Sequence, residues 1–198
     1  IIPALKLDPR IGKKSYIHPG LGISGGNIER DIFTIKKLIK EKNIKNNNLM
    51  NSINEISEKR KNWIFDMCKK IFVKNSIFKV GIYGYTYKKD NSSYKNSPTI
   101  NLLKNLQRYQ IKVGVYDDLL SPKKKNLKVN FYSDPKTMVK DCDLLIFMRD
   151  FKNKKKIEKI NYSGLMKNNF IIDPFGNFKE IFNKKIKFNY ITMGRKYD

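Results

Sequence analysis

The residue types that most often perform covalent or metal chemistry are scarce in this sequence. Its 198 residues include two cysteines and one histidine, His18. Cys68 and Cys142 lie far apart and form no C-x-x-C pair, which argues against a zinc site or a disulfide framework and fits a reducing cytoplasm. We expect both cysteines to pack as small apolar side chains and His18 to be an ordinary loop residue.

A glycine-rich segment near the start of the chain is the first candidate for ligand binding. Residues 18–26 read His-Pro-Gly-Leu-Gly-Ile-Ser-Gly-Gly, which predicts a loop whose backbone angles only glycine adopts easily. From Asp31 the apolar residues recur at helical spacing, so Asp31 itself fits a helix N-cap. A second helix is predicted from the capping box Ser52–Glu55 to about Lys74, long enough to pack against a partner as well as its own core.

After residue 75 the sequence alternates between buried strands and helices. Strands are predicted at residues 78–84, 111–116, 129–132, 144–148 and 170–172, with helices from Ser97-Pro98, from Asp134-Pro135 and over 177–182. This alternation is typical of an α/β protein with a parallel, doubly wound sheet. Ligands bind there at the carboxyl ends of the strands, which makes residues 85–96 and 117–120 candidate ligand loops. The first turn, Gly81-x-x-Gly84, lacks the G-x-G-x-x-G pattern of a dinucleotide site.

The charge and the ends of the chain allow several interpretations. A formal net charge of +24 is compatible with a nucleic-acid binder, but lysine, asparagine and isoleucine are all abundant, which favours a compositional bias on a solvated surface. No run approaches the ~18 apolar residues of a membrane span, and no secretory signal is visible. The chain opens on Ile1 and its first methionine is Met50, which predicts a piece of a longer protein.

Several segments together resemble the UDP-glucose/GDP-mannose dehydrogenase family. The glycine-rich loop through Asp31 is similar to the family's catalytic loop, and Lys79–Lys88 followed by Ser97-Pro98 is similar to its K-V-x-x-x-G-x-x-[FY]-K…S-P signature. Shorter similarities lie, in the family's order, at residues 8–12, 51–55, 115–117, 141–143, 171–173 and 194–195. His18 before Pro-Gly is closer to the dehydrogenases of N-acetylated UDP-hexosamines.

The resemblance implies an architecture and a reaction. Residues 1–76 would hold the catalytic loop and a central helical dimerisation segment, and residues 77–198 a Rossmann-like UDP-binding domain, with the NAD-binding domain outside this chain. The family oxidises a sugar C6 alcohol twice with NAD, and a cysteine thiolate captures the aldehyde as a thioester. Here that position is Asn27, whose amide cannot form the adduct, so we expect this chain to be inactive.

The resemblance also assigns roles to individual residues. Asp31 would orient a water molecule, Arg30 and Lys95 would face NAD, and a larger set would contact the UDP-sugar: Arg10, Tyr16, Gly22, Gly25, Gly26, Tyr87 and Lys88. The expected partners are a UDP-sugar and a second copy of the chain, with no membrane.

Three positions depart from the family pattern. Ser24 replaces a glycine, Ser93 replaces an aspartate, and Phe175 replaces an arginine expected after Asp173. Two alternatives to a dehydrogenase fragment therefore stay open: a non-catalytic module that binds UDP-sugar or dimerises, and a basic protein that binds nucleic acid.

Overall fold

The computed structural model describes residues 1–15, 17, 20–24, 26–45, 48–86, 97–119, 129–149, 151, 154–183 and 188–194. The described helices are α1 (Ile2–Leu5), α2 (Asn27–Glu41), α3 (Asn48–Lys74), α4 (Pro98–Leu106), α5 (Pro135–Val139), α6 (Lys155–Glu158), α7 (Tyr162–Leu165) and α8 (Lys179–Asn183). The described strands are β1 (Lys79–Tyr83), β2 (Lys112–Tyr116), β3 (Asn130–Tyr132), β4 (Leu144–Phe147), β5 (Phe170–Ile172) and β6 (Asn189–Ile191).

The six strands form one parallel sheet in the order β3-β2-β1-β4-β5-β6. Val80 of β1 lies opposite Val113 of β2 on one side and Leu144 of β4 on the other. The chain runs outward from β1 to β3 and then returns to β4 beside β1, so the topological switch point lies between β1 and β4. The predicted doubly wound α/β architecture is confirmed.

Both faces of the sheet are covered, as a parallel sheet requires. On one face α3 and α4 pack against β1 through buried residues that include Ile64, Ile71 and Leu103. The other face carries an aromatic cluster in which the Tyr83 and Phe147 rings stack at 4.7 Å. Each fully buried side chain of this size stabilises the fold by about 1.5–3 kcal/mol, so these two layers hold the strand ends in fixed positions.

Two predicted helix starts are confirmed by their caps. Ser97 Oγ accepts a hydrogen bond from the Thr99 N–H at 3.3 Å and donates one to the Tyr85 carbonyl at 2.9 Å. Asp134 Oδ2 accepts one from the Thr137 N–H at 2.8 Å. In both helices proline follows the cap, where its missing N–H costs nothing.

Other helix starts were wrong in the sequence prediction. Helix α2 begins at Asn27 behind an N-cap at Gly26, so Asp31 lies inside the helix and is not its cap. Helix α3 begins at Asn48, so Ser52 lies within it and forms no capping box. Strand β6 was missed because only one of its three residues, Ile191, is buried, which leaves no apolar run to detect.

The outer surface of α2 and α3 is unusually apolar. Helix α2 has no buried residue, and its exposed side chains include Ile28, Phe33 and Leu38. An open groove of about 620 Å³ lies between α2 and α3, lined in part by Ile32 and Ser57. In the described part of the chain no helix is both long enough and apolar enough to cross a membrane.

Candidate functional site

Asp117 is the residue that ties the carboxyl edge of the sheet together. It directly follows β2, and its Oδ2 accepts hydrogen bonds from the backbone N–H groups of Tyr85 (2.7 Å) and Thr86 (2.8 Å), which follow β1. The Thr86 hydroxyl donates to the same oxygen at 3.0 Å. The other oxygen accepts the Leu119 N–H at 2.8 Å. One carboxylate therefore fixes the chain after both β1 and β2.

Arg149, just beyond the end of β4, completes this arrangement. Its Nη2 lies 3.0 Å from Asp117 Oδ1 and also contacts Asp118. The guanidinium stacks on the Phe151 ring at 4.4 Å, and its side chain is 3% exposed. Arg149 reaches from β4 across the end of β1 to β2, so the ion pair spans the switch point of the sheet.

The electrostatics of Asp117 follow from these contacts. Burial alone would raise the pKa of this carboxyl, but the charge of Arg149 and the backbone N–H donors of Thr86, Leu119 and Tyr85 outweigh it. The pKa of Asp117 is therefore lowered, and the group is ionised at neutral pH. Because both oxygens of this carboxylate already accept hydrogen bonds from the protein, neither has a lone pair left to accept one from a ribose hydroxyl.

Asp173, at the end of β5, is a second buried carboxyl on this edge. It accepts hydrogen bonds from the Phe178 N–H at 2.8 Å and the Tyr190 hydroxyl at 2.6 Å. Burial raises its pKa despite these donors. Phe175, where the family pattern has arginine, packs half-buried against the apolar core, so its side chain brings no charge to this edge.

The glycine-rich loop is anchored to α3. Leu21 is buried in the core, and the Ile23 N–H donates to Ser57 Oγ at 2.9 Å. Gly22 has a φ of +82°, and a Cβ there would lie 2.5 Å from the Ser57 carbonyl oxygen. Only glycine fits such a position. Lys61 adds an ion pair with Glu29 of α2 at 2.6 Å.

The start of α2 gathers three of the predicted site residues. Asn27 is its first residue, and Arg30 and Asp31 lie within its next turn. All three are exposed, and the Arg30 guanidinium lies 3.4 Å from the Asp31 carboxylate. Gly26 precedes them as the N-cap. These residues therefore share one exposed helix start, held in place by the loop and α3.

Arg10 is the one other predicted site residue within the described part of the chain. Arg10 is exposed in the N-terminal segment, and its guanidinium forms a bidentate contact with Asp8 at 2.6 and 3.0 Å. The others, Tyr16, Gly25, Tyr87, Lys88 and Lys95, lie outside the described residues.

Sequence reasoning missed Arg149, Ser57 and Lys61. For Arg149 a signal existed: it follows an apolar strand directly, at the edge where Asp117 follows another.

Neither cysteine can act as a nucleophile in this fold. Cys68 and Cys142 are both free thiols and fully buried. Burial raises the pKa of Cys68 and raises that of Cys142 to about 12, so neither forms the reactive thiolate at neutral pH. The prediction that both pack as small apolar residues is confirmed.

The described residues do not form a dinucleotide site. The acidic residue after β2, which in such sites binds the ribose, is Asp117, and its oxygens are already bound within the protein. Of the two residues assigned to NAD, Arg30 is described, and its guanidinium is exposed beside Asp31.

The fold and this edge define a Rossmann-like α/β protein of the class that binds ligands at its strand ends. Residues 81–180 match the sequence profile described as the UDP binding domain of the UDP-glucose/GDP-mannose dehydrogenase family. The chain belongs to that family, as the sequence motifs predicted.

Individual relatives agree with the family assignment. UDP-glucose 6-dehydrogenase TuaD of Bacillus subtilis is 22% identical over 96% of this chain and 41% of its own length. The UDP-glucose 6-dehydrogenase of Campylobacter jejuni is 31% identical over 81% of this chain and 39% of its own. A solved structure of UDP-D-ManNAc dehydrogenase from Pyrococcus horikoshii has a TM-score of 0.70 at 18% identity, covering 98% of this chain and 44% of that one. The chain thus spans less than half the length of these relatives.

Proposed function

We propose that this chain binds a UDP-sugar at the carboxyl edge of its parallel sheet and does not itself oxidise it. The match of residues 81–180 to a UDP binding domain carries the proposal. The strand ends around Asp117 support it, because hydrogen bonds from Tyr85 and Thr86 order the edge at which open α/β sheets bind ligands. Residue 77 is the proposed start of this domain.

The residues proposed to contact the UDP-sugar are those of the family motifs. Lys88 would pair with the diphosphate, and Tyr87 and the loop glycines would contact the sugar, together with Arg10 and Tyr16. Asp31 would orient a water molecule. Arg30 and Lys95 would face an NAD molecule that is bound by the family's NAD-binding domain. Asn27 stands where the family has its cysteine, and both cysteines of this chain are buried.

A second copy of the chain is the proposed partner of the α2–α3 surface. Ile28, Phe33 and Leu38 of α2 and Ile56 of α3 are 49–70% exposed. Covering these apolar side chains with a partner lowers the free energy of the protein, so a surface of this composition is typical of an interaction site. Measuring the molecular mass in solution tests this proposal. We expect a dimer, and Phe33→Glu should shift the equilibrium toward the monomer because it places a charge on this surface.

Calorimetric titration with UDP tests ligand binding. We expect saturable binding that is lost in Lys88→Ala and retained in Lys112→Ala, a matched control because Lys112 begins β2 at the opposite edge of the sheet. No heat with the wild-type chain would contradict the proposal.

An activity assay tests the second half of the proposal. With NAD and UDP-glucose or UDP-N-acetylmannosamine, we expect no reduction of NAD by the wild-type chain or by Asn27→Cys. Turnover by the wild-type chain would show that Asn27 is compatible with the oxidation.

A further inference from the structure

The buried pair of Arg149 and Asp117 occupies the position where open α/β sheets receive their ligands. The two side chains are 3% and 0% exposed, and their atoms meet at 3.0 Å across the ends of β4, β1 and β2. Asp118 adds a second carboxylate in contact with the same guanidinium. Among the described residues, this cluster holds two negative charges and one positive charge at the switch point.

Gly84 makes this crossing possible. It follows β1 with a φ of +94°, and a Cβ at this position would lie 2.8 Å from Arg149 Cγ. The arginine stem therefore runs directly over the backbone of residue 84, in the space that any other residue would fill. On its other side the guanidinium stacks on Phe151. The path of Arg149 is thus fixed from both sides.

The sign of the charge at this edge matters for the proposed ligand. A nucleoside diphosphate is an anion, and in a partly buried site its repulsion by carboxylates is poorly screened by water. Asp117 and Asp118 would oppose such a ligand if Arg149 did not balance one of their charges. Asp117 is also needed for the fold, because its Oδ2 accepts the hydrogen bonds of the Tyr85 and Thr86 N–H groups.

We propose that Arg149 is a positioning residue that neutralises Asp117 at the switch point and so makes this edge compatible with a nucleoside diphosphate. This inference rests on the proposed function and deepens it. Arg149 acts through Asp117 and does not itself contact the ligand. Its role is to let the protein keep the structural carboxylate without repelling the diphosphate.

Charge and shape are separated by two substitutions at the same position. Arg149→Lys keeps the positive charge and loses the planar fork, whereas Arg149→Met loses both. Calorimetry with UDP and with uridine, which lacks the phosphates, measures the effect on the anion. We expect Arg149→Met to weaken UDP binding about tenfold and Arg149→Lys by less than about threefold, with uridine changing less than about twofold.

A purely structural role predicts another result. Arg149→Lys and Arg149→Met would then weaken UDP binding equally, or would weaken UDP and uridine alike, and either outcome overturns the inference while leaving the proposed function intact. If the wild-type chain binds no UDP, the proposed function itself fails, and the inference fails with it.

Asp118→Asn provides a test that does not remove the buried arginine. Asp118 lies at the rim, with its side chain 21% exposed, so the variant is expected to fold even if Arg149→Met does not. Removing this negative charge should strengthen UDP binding by about twofold to fivefold and leave uridine unchanged. Unchanged or weaker UDP binding by a folded Asp118→Asn would overturn the inference.

Discussion

Lys61 Nζ in α3 lies 2.6 Å from Glu29 Oε1 in the first turn of α2, and 3.0 Å from Glu58 Oε1. Burial lowers the pKa of this lysine, but the hydrogen bonds to the two carboxylates outweigh it and leave the pKa raised. Helix α2 has no buried residue, and this ion pair connects the helix that begins at Asn27 to α3.

Lys61→Met should therefore loosen α2. The variant leaves Glu29 and Glu58 without their shared cation, and we expect a loss of about 1–2 kcal/mol in the local stability of α2. Amide hydrogen exchange over residues 27–41 measures this loss. Lys59→Met is the matched control, because its ion pair with Glu55 is exposed and worth little. Equal exchange in the two variants would contradict the structural role of Lys61.

Gly22→Ala should displace the glycine-rich loop from α3. The new Cβ would meet the Ser57 carbonyl at 2.5 Å, and the φ of +82° would add backbone strain. We expect a cost of about 2–4 kcal/mol, measured by urea unfolding. Gly26→Ala is the control, since a Cβ there meets no atom within 4 Å, and its cost should stay within about 1 kcal/mol. A smaller loss in Gly22→Ala than in Gly26→Ala would refute this packing.

Arg149→Met should destabilise the fold in a pH-dependent manner. At pH 7 it leaves the Asp117 carboxylate buried without its partner, at a cost of about 3–5 kcal/mol. The wild-type pKa of Asp117 is lowered, so the stability from this pair is complete above the ordinary value of about 3.9 and is lost as pH falls through the folded value. The difference between variant and wild type should therefore persist down to about pH 4 and shrink as the pH falls further, toward about pH 2.

Urea unfolding at pH 7 and at about pH 2 measures this difference. Arg108→Met, which alters an exposed residue after α4, should change stability little at either pH. A difference that stays constant with pH would mean that packing, rather than charge, accounts for the loss.

Thiol labelling should separate the native cysteines from an engineered one. Cys68 and Cys142 are fully buried, and the pKa of each is raised, so a thiol reagent should modify them only after unfolding. Asn27→Cys should add one thiol that reacts in the folded protein, since Asn27 is exposed at the start of α2. Fast labelling of the native wild-type chain would contradict the burial of both cysteines.

The parts of the fold that sequence alone predicted are those with local signals. The apolar runs predicted β1, β2, β4 and β5 to within two residues at each end, because buried parallel strands read as continuous apolar segments. Ser97-Pro98 and Asp134-Pro135 predicted two helix starts correctly, since caps depend on neighbouring residues. The capping box at Ser52 failed because the helix it was to begin starts four residues earlier.

Sequence by itself determined the α/β class, the family and the replacement of the expected cysteine by Asn27. Local residue patterns indicate the class, and the order of the motifs indicates the family and the position of the cysteine. Only the tertiary structure decided what the polar residues at the strand ends do. Asp117 and Arg149 are 32 residues apart, and they meet because parallel β2 and β4 end at one edge on either side of β1. No local pattern encodes that meeting, which depends on Gly84 leaving room for the arginine.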